Sequence, residues 1–88
     1  MRWVPLTVAL VTAGCGGRVE QSPPCQAFAG CIRAMDAAAG QTTNLDRFDA
    51  AGACWVNSDT SLMCTTGCER GLARLRERTL GLPAECAP

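Results

Sequence analysis

Apolar and polar positions divide the chain into a greasy leader, an aperiodic stretch and a region of helical periodicity. Trp3 to Ala13 is an apolar run broken by Pro5 and two threonines. Residues 16–22 show no period. From Pro23 onward Phe28, Ile32, Met35 and Ala39 recur at helical spacing, with Cys25 and Cys31 flanking that face, which predicts a helix over 23–39. Ser22 before Pro23-Pro24 suits its N-cap, and Gly40 suits the position just past its end. Gly30 costs such a helix about 1 kcal/mol relative to Ala and suggests close approach by another element.

After the connector Gln41-Thr42-Thr43, the stretch Thr43-Asn44-Leu45-Asp46 has the form of a capping box with Asp in place of Glu. It predicts a short second helix over about 44–53, with Leu45, Phe48 and Gly52 on its inner face. Trp55 follows Cys54 directly and reads as a core aromatic packed on a bridge rather than a ligand-stacking surface. Asn57-Ser58-Asp59 is a turn and cap cluster, and the longest helix is predicted over about 60–79. At 100° per residue, Cys64, Cys68, Gly71 and Leu75 fall within roughly 60° of one another, with Leu72 beside them. Arg70, Arg74 and Arg78 form a second stripe on an adjacent face. Gly81 and Pro83 then stop the helix and turn the tail back toward Cys86. The fold class expected is all-α: two main helices and a short connecting helix, stapled by disulfides.

The leader is too short to span a bilayer. Eleven residues at 1.5 Å each fall well below the ~30 Å hydrocarbon core, whereas an export signal needs only a positive start, here Met1-Arg2, and a short greasy segment. The run closes on Val11-Thr12-Ala13-Gly14-Cys15. Small residues followed by cysteine resemble the lipobox of bacterial lipoproteins, in which cleavage falls just before a cysteine that carries lipid on its sulfur and new amino group. Ala13 and Gly14 match the small positions and Cys15 the lipidated one; Thr12 stands where that family usually has leucine. The resemblance implies residues 1–14 as signal peptide, 15–22 as a lipidated tether and 23–88 as the domain. Gly16 stands where an aspartate retains some lipoproteins at the inner membrane, so the outer membrane is the expected location. Two other readings stay open: an ordinary secretory cleavage after Ala13, freeing a soluble protein at Gly14, and a cytosolic protein that buries residues 3–13.

The chain has seven cysteines, at 15, 25, 31, 54, 64, 68 and 86. Assigning Cys15 to lipid leaves six, enough for three bridges. The mature stretch carries only fourteen large apolar side chains, a thin core for which bridges decide stability; such bridges persist in an oxidising compartment. If the first and long helices lie antiparallel under the short one, levelling their residues predicts Cys25–Cys86, Cys31–Cys68 and Cys54–Cys64; the main rival, Cys25–Cys68, Cys31–Cys64 and Cys54–Cys86, would need the tail to climb the full length of the long helix.

Composition narrows the chemistry. The chain has no His, Tyr or Lys, and its eight Arg balance eight Asp plus Glu, so no net field favours nucleic acid. No serine or cysteine finds a neutral nitrogen base, and no enzymatic activity is expected. Cys64-Thr65-Thr66-Gly67-Cys68 has neither haem-attachment nor thioredoxin spacing, no C-x-x-C knuckle indicates zinc, and no cofactor or metal is expected. Asp46 and Asp49 read as solvated charges. The arginine stripe is the surface feature open to a partner: dipole-favoured charges near a helix end, or a contact with lipid phosphates, acidic glycans or an envelope protein's carboxylates. Two functional classes follow, a non-enzymatic lipid-anchored envelope protein, and a carrier or sensor using its bridges as redox elements.

Overall fold

The computed structural model describes residues 17–88, all helical or irregular, with no strand among them. Helix α1 spans Pro23–Ala39 and helix α2 spans Ser58–Arg78. Three short 3₁₀ turns complete the order, Asp46–Phe48 and Ala53–Trp55 between the helices and Ala84–Cys86 after them. The fold is thus a small disulfide-stapled all-α domain.

Local signals set the ends of both helices. At the start of α1, Pro23 and Pro24 occupy positions whose amides would have no helical partner. The first free amides, of Cys25 and Gln26, both donate to the Ser22 carbonyl at 3.1 and 3.0 Å. The Ser22 hydroxyl therefore does not cap the helix as expected; it accepts from the Thr65 hydroxyl on α2 at 2.7 Å. At the other end Gly40 takes φ 69°, and its amide and that of Gln41 converge on the Asp36 carbonyl, a left-handed stop that glycine adopts without strain. Helix α2 begins on Asn57, whose side-chain oxygen accepts from the amide and hydroxyl of Thr60 at 2.8 and 3.0 Å.

The two helices run parallel, not antiparallel. Ser22 meets Thr65, Cys25 is bonded to Cys68, and both pairs are 43 residues apart in sequence. Phe28 against Gly71 has the same spacing, and a Cβ on Gly71 would lie 2.7 Å from the Phe28 ring. A constant positive offset is the mark of two helices advancing side by side. Eighteen residues separate Ala39 from Ser58, ample to run back along the ~25 Å of α1.

That return path replaces the single helix expected over 44–53. Thr43 is not an N-cap; its amide and hydroxyl donate to the Asp36 carboxylate at 2.7 and 3.1 Å, tying the connector to α1. The Asn44 side chain accepts from the Asp46 amide at 2.9 Å, a local turn that competes with helix. The first 3₁₀ turn then folds back on itself so closely that a Cβ on Gly52 would strike the carbonyl oxygens of Asp46 and Arg47.

Two adjoining clusters make the core. Cys25, Cys54, Trp55 and Cys68 form one, with Val19, Phe28, Phe48 and Cys64 against it. Cys31, Leu72 and Cys86 form the other, with Phe28, Met35, Leu75 and Leu82. Phe28 belongs to both and meets Phe48 edge to face, centroids 5.6 Å apart. Among the described residues Trp55 is the only large side chain other than cysteine to be fully buried, and its indole N–H donates to the Phe48 carbonyl at 3.2 Å. This is the core aromatic expected of it.

The close approach suspected at Gly30 is absent: nothing lies within 4 Å of where its Cβ would be. The approach is at Gly71 instead. Gly30→Ala is therefore expected to raise unfolding stability by up to ~1 kcal/mol, because an open mid-helix glycine only adds backbone entropy to the unfolded chain. Chemical denaturation of the two proteins measures it, and a loss of stability would contradict the packing described.

Candidate functional site

All six cysteines of the described residues are bonded, as Cys25–Cys68, Cys31–Cys86 and Cys54–Cys64. Cys54–Cys64 is the bridge expected; the other two exchange partners relative to the expected Cys25–Cys86 and Cys31–Cys68. Helix direction is the reason. With α1 and α2 parallel, Cys25 is level with Cys68, and the tail leaving α2 at Thr79 is beside the second half of α1, so Cys86 reaches Cys31. The bridges lie inside the domain: Cys25, Cys31, Cys54, Cys68 and Cys86 are at most 1% exposed, and only Cys64 is half-buried. Exchange requires a thiolate to reach a sulfur, so this burial favours staples over redox elements.

Arg70, Arg74 and Arg78 are all exposed on α2, but the structure divides them. Arg74 and Arg78 line a groove of about 370 Å³ between α1 and α2, together with Phe28, Ile32, Gly71, Leu75 and Thr79. Arg70 lies outside it. Gly71 is what lets α2 come down onto the Phe28 ring and so shapes the groove's end. Arg33 with Asp49 is the sole ion pair among the described residues, and both side chains are about half exposed, so the pair is worth little to stability. Asp46 makes no such pair.

Two side chains with specific roles escaped sequence reasoning. Arg76, between the stripe positions, donates from Nε to the Cys86 carbonyl at 2.7 Å and from Nη2 to that of Ala87 at 3.1 Å, fastening the tail. Its turn on the helical wheel, away from Arg74 and Arg78, was the available signal. Asp36 is 8% exposed and holds Thr43; its place on the apolar side of α1 one turn before Gly40 was the clue.

Ahead of α1, the stretch from Arg18 to Gln21 is laid on the domain. Arg18 donates to the carbonyls of Ala50 and Gly52 at 3.2 and 2.8 Å, the Val19 amide to that of Trp55 at 2.8 Å, and Gln21 to that of Phe48 at 2.6 Å. Cys15 and residues 1–14 lie outside the described residues. Among the described residues no helix is long and apolar enough to cross a membrane. Compared with protein-family models, curated proteins and solved structures, this chain matches none.

Proposed function

We propose that this chain is a non-enzymatic, lipid-anchored protein of a bacterial cell envelope, with Cys15 as its lipid-bearing mature N-terminus and the stapled domain as a structural or interaction module. The observation that carries this reading is the fate of the cysteines. Three bridges take up every cysteine from 25 to 86, so Cys15, the residue placed after the lipobox-like Val11-Thr12-Ala13-Gly14, has no cysteine of this chain to pair with. The pinned segment adds a consequence. From Cys15 to Arg18 the chain spans at most about 11 Å, so an anchored Cys15 holds the domain close against its membrane, with the outer membrane the favoured location. The exposed arginines of α2 are the contact this reading offers to anionic glycans, lipids or an envelope protein.

Acyl chains contribute about 0.8 kcal/mol per buried CH₂, so several chains anchor stably where one is marginal. Intact mass of protein extracted from membranes is expected to equal residues 15–88 plus acyl groups. A soluble form beginning at Gly14 without added lipid would refute the proposal.

A further inference from the structure

We propose that the groove between α1 and α2 binds a single-chain anionic amphiphile, its tail on Phe28, Ile32 and Leu75 and its carboxylate or phosphate head on Arg74 and Arg78. The groove's about 370 Å³ is at the lower end of the range of small-molecule sites, which join apolar walls to a few placed polar groups. Its two sides differ in character. The α1 side presents Phe28 and Ile32, with no acid or other polar side chain; the α2 side presents Leu75 and, one helical turn apart, two guanidinium groups. Among the described residues neither arginine is in an ion pair, and Glu77, beside them in sequence, does not line the groove.

That division selects the ligand. A small inorganic anion would satisfy the arginines and leave the apolar wall wet. A wholly apolar ligand would cover the wall and strip water from two unpaired cations, which is costly. A chain with a negative head does both, since guanidinium groups form charge-assisted paired hydrogen bonds with carboxylates and phosphates. From Gly71 to Arg78 the groove runs about 10 Å along α2, suited to one acyl chain of medium length. Binding in the groove requires no lipid at Cys15.

Ile32 is the only isoleucine in the sequence, so its methyl resonance reports on the groove alone. The full chain carrying Cys15→Ser, with its bridges formed and isoleucine methyls labelled, is titrated with decanoate and, in parallel, decyl phosphate, both kept below micelle formation. A saturable shift of the Ile32 methyl with either is expected, and which one acts identifies the head group. Arg74→Gln with Arg78→Gln is expected to weaken that binding about tenfold or more, as for loss of charge-assisted bonds, while the unfolding midpoint and the remaining spectrum stay unchanged. Decanol is expected to bind more weakly than decanoate, and acetate not at all. No saturable shift with either amphiphile, equal binding by the double variant, or a response only to anionic phospholipid vesicles would overturn the proposal.

Discussion

Reduction of the three bridges is expected to unfold the domain, with loss of helical circular dichroism and of any cooperative thermal transition. The loops closed have sequence separations of 43, 55 and 10. On the chain-entropy estimate these correspond to about 4, 4 and 3 kcal/mol. The sum is comparable to the whole stability of a small domain. Here the loss goes beyond entropy, because the sulfurs are the core: among the described residues, five of the six fully buried larger side chains are bridge cysteines. Taken singly, Cys25→Ala with Cys68→Ala and Cys31→Ala with Cys86→Ala are each expected to cost more than Cys54→Ala with Cys64→Ala. The same experiment separates staples from redox elements. A sensor needs a bridge that is reduced near the potential of its compartment, while a staple resists reduction; a bridge that opened at such a potential, or a reduced chain that kept its cooperative transition, would contradict the structural role.

Trp55→Ala is expected to destabilise the domain by about 3–5 kcal/mol, the range for emptying a buried aromatic site. The indole is fully buried in one cluster with Cys25, Cys54 and Cys68, and Val19 and Phe48 pack against that cluster. The Trp55 backbone carbonyl also accepts from the Val19 amide. Trp55→Phe keeps much of the apolar contact and loses the bond to the Phe48 carbonyl, which still accepts from Gln21; a smaller cost, about 1–2 kcal/mol, is expected. Denaturant unfolding of both variants gives the comparison. Near-equal, small losses would mean that Trp55 is not the centre of the core.

The helices were legible because their ends carry local chemistry. Pro23-Pro24, Gly40 and Asn57 act through their own or neighbouring backbone, and the structure has α1 over the span expected and α2 shifted by one or two residues. Helix direction was not legible in this way. It depends on the path of residues 40–57, which follows from the burial of Leu45 and Trp55, from Asp36 holding Thr43, and from the tight fold at Gly52. These are long-range contacts between residues with no shared period. Reversing one helix exchanges the partners of Cys25 and Cys31 while leaving Cys54–Cys64 alone, because that bridge is local. The arginine stripe was legible as a face; that Phe28 and Ile32 make a groove beside only two of its members follows from the parallel register.

The parallel register is the centre of this account, and bridge mapping tests it most directly. Cleavage of the unreduced, denatured protein after Arg, Phe and Trp isolates Cys25 in a peptide ending at Phe28, Cys31 in one ending at Arg33, Cys54 in one ending at Trp55, and Cys64 with Cys68 in one ending at Arg70. Mass spectrometry is expected to find the Cys25 and Cys54 peptides both joined to the Cys64/Cys68 peptide, and the Cys31 peptide joined only to the tail peptide of Cys86. The Cys31 peptide joined to that of Cys68, and the Cys25 peptide joined to that of Cys86, would mean antiparallel helices and would contradict the structure described.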